Sequence, residues 1–156
     1  MDLQELVRIT AVKAKEILKN DGYHNPMIIS FRDNKGSVIP IPSWNNNTKE
    51  IIFRNLTNTL KKLKVDVFIY VFESWMVTKK DNEELDINIL PSKHPDRIDT
   101  LCIIGKTKAD MYGIVIPFTM LGKRIIFEKE EIFNSNEGFS MEDNLFKDVF
   151  DEKGGE

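Results

Sequence analysis

Cysteine, histidine and long apolar runs are scarce in this chain, and each scarcity excludes a class of protein. The 156 residues include one cysteine, Cys102, and two histidines. A single cysteine excludes an intramolecular disulfide and a cysteine-based zinc site. No apolar run approaches the roughly 18 residues of a membrane-spanning helix, and the opening MDLQELVRIT lacks the pattern of a signal peptide. We therefore expect a cytoplasmic protein without a membrane partner, because an unpaired cysteine suits a reducing compartment.

The rest of the composition suits one compact domain with an appendage. The chain is 41% hydrophobic and 30% charged, with a formal net charge of −3, and a chain of this length can bury a core unaided. The charge is unevenly distributed. Residues 128–156 carry 10 acidic residues and 3 lysines, a formal charge of −7, whereas the remainder carries +4. We predict a single α+β domain over residues 1–128 and an acidic tail over residues 129–156.

Apolar spacing predicts two helices packed on a largely antiparallel sheet, in the order helix, hairpin, helix and meander. The expected elements are a helix over 3–19, a hairpin within 27–41, a helix ending near Lys64, and strands over 65–78, 97–106, 112–118 and 124–128. The strand over 65–78 is apolar on both faces, which predicts a central position. Proline cannot donate to a strand ladder, so Pro40 indicates an edge strand and Pro117 indicates an edge or a bulge.

The acidic tail contains a second amphipathic pattern. Ser140 and Asp143 have the spacing of a capping box, and the apolar residues that follow share one helical face. This pattern predicts a short acidic helix with Phe146 and Phe150 as binding residues. The helix would either fold back on the basic surface of the domain or dock on another chain. A protein partner or self-association is therefore expected.

One polar cluster is a candidate site at the end of the central strand. By alternation Glu73 shares a face with Trp75, and a carboxylate among apolar neighbours needs a partner. Arg97, at the start of the next strand, is the natural partner. The pair could be a structural staple between two strands. Alternatively, Glu73 or His94 could act as a general base beside Asp96, with Arg97 holding an anion and Trp75 forming a stacking wall.

Other patterns are weaker. Lys61, Lys62 and Lys64 could contact phosphate, although such a run is typical of a solvated helix end. The segment 104–107 (Ile-Gly-Lys-Thr) looks like the end of a phosphate-binding loop, but Thr100 stands where the full pattern needs glycine. The two histidines are far apart in sequence, so we expect neither a metal site nor a cofactor.

The polar cluster also carries a resemblance. The segment 73–76 (Glu-Ser-Trp-Met), followed by 91–97 (Pro-Ser-Lys-His-Pro-Asp-Arg), resembles uncharacterised proteins of bacteria, archaea and their viruses. Those proteins have a Glu-Ala-Trp motif and then a Pro-x-x-His-Pro-Asp-Arg motif, and Ser74 stands at the alanine position. The resemblance covers about residues 65–106. It implies kinship and no particular mechanism.

These observations favour a non-enzymatic binding or protein-interaction module of a microbe or its virus. The sequence contains no complete catalytic motif, and its acidic tail has the pattern of a docking helix. Two alternatives stay open. One is a small hydrolase-like enzyme that uses Glu73, His94, Asp96 and Arg97, and the other is a nucleic-acid accessory protein that uses the lysine run.

Overall fold

A computed structural model describes residues 2–76 and 97–134, together with Phe146, Val149 and Phe150. These residues form two helices and seven strands, which confirms the predicted α+β class. The elements are α1 (Leu3–Asp21), β1 (Met27–Arg32), β2 (Lys35–Pro40), α2 (Lys49–Leu63), β3 (Val67–Met76), β4 (Ile98–Thr107), β5 (Met111–Leu121), β6 (Arg124–Phe127) and β7 (Glu131–Asn134). The predicted C-terminal helix lies mostly outside the described residues.

The seven strands form one antiparallel sheet in the order β2-β1-β3-β4-β5-β6. β7 pairs with the first half of β5, and β6 pairs with its second half. β7 was not among the predicted strands, and it extends the sheet into residues predicted as tail. Pro117 lies in β5, an interior strand, so the expected edge position is wrong. The Pro117 carbonyl accepts the Glu128 N–H at 2.8 Å. Because the carbonyl and the nitrogen of a strand residue point to the same side, the nitrogen of Pro117, which has no hydrogen to donate, faces the gap between β6 and β7.

The two helices cover opposite faces of the sheet, which we call the α1 face and the α2 face. Ile69 and Val71 of β3 belong to the core cluster on the α1 face. Phe68 and Tyr70 alternate with them and belong to the cluster that includes the buried side of α2. All four residues are at most 3% exposed. The prediction of a central strand covered on both sides is therefore confirmed.

Local signals fix both ends of α1, and a glycine sets its distance from the sheet. The Asp2 side chain accepts the Glu5 N–H at 2.8 Å, and Gly22 ends the helix with φ +81°. Gly105 of β4 lies directly beneath the first turns of the helix. A Cβ atom added to Gly105 would lie 2.5 Å from Val7 Cγ2 and 2.8 Å from Leu3 Cδ1. The bare backbone at this position therefore allows α1 to approach β4 closely.

A two-residue turn sets the register of the β1–β2 hairpin. Asp33 and Asn34 have φ values of +50° and +66°, the left-handed conformation that tight hairpin turns need. The register pairs Arg32 with Lys35 and continues to Met27 opposite Pro40. Within the described sheet β2 pairs only with β1, so the edge position predicted from Pro40 is confirmed.

Candidate functional site

Glu73 lies on the α1 face near the end of β3, opposite Leu101. Its Oε2 atom accepts a hydrogen bond from the backbone N–H of His24 at 2.9 Å. His24 is 4% exposed, and its Nδ1 lies 2.8 Å from the carbonyl of Asn25. The Glu73 carboxylate thus ties the α1–β1 connection to the central strand. Sequence reasoning missed this partner, because a backbone N–H has no signature in the sequence.

Trp75 follows on the same face, opposite Asp99, with 49% of its surface exposed. The Arg97 guanidinium carbon lies 6.0 Å from the centre of the Trp75 ring, which is the geometry of a cation–π contact. Arg97 precedes β4 and lies four positions before Leu101, the residue opposite Glu73. Arg97 thus contacts Trp75, and Glu73 binds the backbone of His24; a pair between Glu73 and Arg97 stays a prediction.

Tyr23 is also exposed and adjoins these residues through His24. We call the four residues the Trp75 surface: Tyr23, Glu73, Trp75 and Arg97. Tyr23 is 56% exposed and immediately precedes His24, whose N–H binds Glu73. Sequence reasoning did not single out Tyr23, because it stands in a connecting segment without periodicity. His94 and Asp96, the other members of the predicted hydrolase-like site, lie outside the described residues.

The predicted lysine run lies just before the start of β3, at the opposite end of the strand from Trp75. It borders an open cleft of about 410 Å³. Lys62 lines this cleft, whereas Lys61 is half-buried and Lys64 is exposed on the same helix end. One wall comes from the β1–β2 hairpin and the other from the end of α2. The lining residues are Ser30, Arg32, Asp33, Lys35, Ser37, Lys62, Leu63 and Val65. We call this feature the basic cleft.

Cys102 is held as a buried thiol in β4. The side chain is 6% exposed, and burial raises the pKa of the thiol to about 11, because the thiolate is poorly solvated there. A contact of 3.6 Å between its sulfur and the Thr100 hydroxyl opposes the rise only in part. The thiol is therefore protonated at neutral pH and has the character of a small apolar residue.

The candidate binding residues of the tail pack on the α2 face. Phe146 is 2% exposed, and its ring centre lies 5.4 Å from those of Phe53 and Tyr70. Phe150 stacks on Phe68 with ring centres 5.8 Å apart. These two tail residues therefore join the core cluster of their own chain.

Side chains of the types that bind metals do not cluster in the part of the chain that the structure describes. Among residues 2–76 and 97–134, no three His, Cys, Asp or Glu side chains converge to hold a metal ion. Neither of the two described helices combines the length and the apolar character needed to cross a membrane.

Comparison with known proteins identifies a family for this fold. Residues 2–141 match the family described as Bacteriophage lambda protein ea47, and the match includes both helices and all seven strands. No curated protein and no solved structure matches the chain. The expected resemblance to proteins of bacteria, archaea and their viruses is confirmed in part, because the family is that of a phage protein; the Glu-Ala-Trp and Pro-x-x-His-Pro-Asp-Arg signature stays a prediction. The chain belongs to the bacteriophage lambda protein ea47 family.

Proposed function

We propose that the chain is a non-enzymatic binding protein that recognises a protein partner through the Trp75 surface. The observation that supports this proposal is the half-exposed Trp75 ring beside the Arg97 guanidinium. Tryptophan, tyrosine and arginine most often dominate the binding energy of protein interfaces. Tyr23, Trp75 and Arg97 supply all three residue types at one end of the sheet.

Burial of the exposed part of Trp75 would contribute much of the affinity. A tryptophan side chain buries up to about 250 Å², and about half of Trp75 is exposed, which leaves about 120 Å² for a partner. At about 25 cal/mol per Å², burial of this area contributes at most about 3 kcal/mol, because association also costs translational and side-chain freedom. Trp75 is therefore the residue of this surface whose truncation should weaken binding most.

Two features of the surface favour selective binding. The hydrogen bond from His24 to Glu73 and the pairing of β3 with β4 position the surface before a partner arrives. A surface already in its binding geometry loses less conformational entropy on association. Glu73 and Arg97 carry opposite charges on either side of the tryptophan, so a partner with complementary charges is favoured over others.

The family match supports a setting for this interaction. Because the family is that of a bacteriophage protein, we infer that the partner is a protein of the phage or of its host. We place the interaction in the cytoplasm of the infected cell, where the free Cys102 thiol remains reduced. A second copy of the chain is the alternative partner.

Substitution of Trp75 tests the proposal. Immobilised wild-type protein, Trp75→Ala and Val38→Ala are exposed to an extract of phage-infected host cells, and the dissociation constants of retained proteins are then measured. Val38 is a matched control, because it is 61% exposed and lies on β2 in register with Ile69, six residues before Trp75 along β3. The expected partner binds the wild type and Val38→Ala equally and Trp75→Ala at least about 30-fold more weakly. Sedimentation velocity of the three proteins identifies self-association.

Equal retention of every protein by Trp75→Ala and the wild type would contradict the proposal. Loss of binding in Val38→Ala to the same extent would also contradict it, because the effect would then not be specific to the Trp75 surface. Circular dichroism of each variant shows that the fold is intact.

A further inference from the structure

The basic cleft is a second feature with the properties of a binding site, and it lies far from the Trp75 surface. Val65 lines the cleft just before β3, and Trp75 lies close to the end of the same strand. The eight residue-to-residue steps from Val67 to Trp75 span about 27 Å at about 3.4 Å per step. The two features are therefore separate, and an inference about the cleft stands apart from the proposed function.

Two pairs of residues on the hairpin line one wall of the cleft. The register places Ser30 directly opposite Ser37 and Arg32 directly opposite Lys35. Ser30 and Arg32 follow Ile28 at alternate positions, and Ile28 belongs to the cluster on the α2 face. Both pairs therefore face α2, because alternate residues of a strand share a face. Two hydroxyl groups thus lie next to two cationic groups.

The pairing of Arg32 with Lys35 is unfavourable by itself. Like charges directly opposite each other on neighbouring strands destabilise a sheet. Asp33 is the acidic residue in the lining, and its Oδ2 lies 3.9 Å from Arg32 Nε. The two side chains are 57% and 84% exposed, and an exposed pair of this kind contributes little. An anion bound between Arg32 and Lys35 would offset this repulsion further.

The opposite wall adds a third cation. Lys62 lies in the last turn of α2, where it also offsets the negative partial charge of the helix carboxyl end. The backbone N–H of Lys64 donates to the carbonyls of Leu60 and Lys61. This bond already offsets part of the negative partial charge at the helix end. The lining thus contains three basic side chains, one acidic side chain and two serine hydroxyls.

We propose that the basic cleft binds a phosphate group, either of a nucleotide or of a nucleic-acid strand. A phosphate accepts paired hydrogen bonds from the planar guanidinium of Arg32, attracts the ammonium groups of Lys35 and Lys62, and accepts hydrogen bonds from hydroxyls. Ser30 and Ser37 provide those hydroxyls. The volume of about 410 Å³ falls within the roughly 300–1,000 Å³ of small-molecule sites, so a nucleoside attached to the phosphate also fits.

Binding of two probes at low and high salt tests the proposal. One probe is inorganic pyrophosphate, measured by calorimetry, and the other is a fluorescent single-stranded oligothymidylate, measured by anisotropy. The variants Arg32→Gln, Lys35→Gln and Lys62→Gln each remove one cation of the cleft. Lys123→Gln is the matched control, because it makes the same charge change at an exposed site in the β5–β6 turn. Thermal unfolding identifies any variant that does not fold.

Each cleft variant is expected to bind at least about 10-fold more weakly than the wild type, whereas Lys123→Gln is expected to bind normally. Binding of both probes, with competition between them, indicates recognition of the phosphate itself. Binding of the oligonucleotide alone, with the same loss in the variants, indicates a nucleic-acid strand as the source. The proposal is overturned if neither probe binds at low salt, or if Lys123→Gln weakens binding as much as the cleft variants do.

Discussion

Gly105→Ala tests how closely α1 packs on the sheet. The added Cβ would lie 2.5 Å from Val7 Cγ2 and 2.8 Å from Leu3 Cδ1, and both distances are too short for carbon atoms to occupy without movement. Leu3 can rotate away, because the contact is at the far end of a flexible side chain. Val7 is branched at Cβ and fully buried, so it has few alternative rotamers. The helix itself must therefore shift.

Two opposing effects set the size of the change. Overpacking of a close-fitting core costs about 1–3 kcal/mol. Replacement of glycine by alanine at an ordinary backbone conformation returns about 0.4–1 kcal/mol, because the unfolded chain becomes less flexible. The expected net loss in the free energy of unfolding is thus about 1–2 kcal/mol. For a chain of this size the loss corresponds to a fall of about 2–8 °C in Tm.

Urea unfolding followed by circular dichroism measures the loss, and Gly113→Ala provides a matched control. A Cβ added to Gly113 meets Ile104 Cγ1 at 3.5 Å, an ordinary contact, so this variant should be unchanged or slightly more stable. In the double variant Val7→Ala/Gly105→Ala, the new methyl group fills vacated space. The combined loss should therefore be smaller than the sum of the single losses. Equal stability of Gly105→Ala and Gly113→Ala would refute the close approach of α1.

Three further predictions concern residues elsewhere in the chain. Phe146→Ala is expected to lower the free energy of unfolding by about 3–5 kcal/mol, and Phe150→Ala, at a less buried position, is expected to lower it less. An unchanged free energy of unfolding in Phe146→Ala would contradict the packing of the tail on the α2 face. Glu73→Ala, which removes the acceptor of the His24 N–H, should cost about 1–3 kcal/mol in urea unfolding, whereas Glu73→Gln, which keeps an acceptor oxygen, should cost less. The pKa of the Cys102 thiol is raised from 9.0 to about 11 in the folded chain. The stability that the buried thiol contributes is therefore fully present below pH 9. It is lost between pH 9 and 11, because the unfolded chain releases the thiol proton first. Cys102→Ala should abolish that part of the pH dependence, and an unchanged slope in urea unfolding would count against the burial effect.

Local signals explain why parts of the fold were predictable. The ends of α1 follow from Asp2 and Gly22, which act on groups a few residues away. The central position of β3 follows from its two apolar faces. β7 was missed because the segment 131–134 is short and lies among charged residues. The segment forms a strand because the first half of β5 has backbone groups available for pairing on the side away from β4.

The candidate sites depend on contacts that the sequence does not record. The partner of Glu73 is a backbone N–H from a segment 49 residues away, and such a donor can belong to any residue type. The hairpin turn predicted the pairing of β1 with β2. Only the tertiary structure places Lys62 across from that hairpin. Gly105, in the segment that looks like a phosphate loop, instead provides space for a helix.

The edges of the described sheet determine how the protein behaves when it is concentrated. The Ile41 N–H bonds to the Pro26 carbonyl, so the neighbouring Pro40 turns its backbone outward, where it has no donor to offer. The opposite edge consists of two strands of four residues each, β6 and β7. Interrupted or proline-containing edges resist pairing with a second sheet. The two edges of the described sheet therefore offer poor templates for edge-to-edge aggregation.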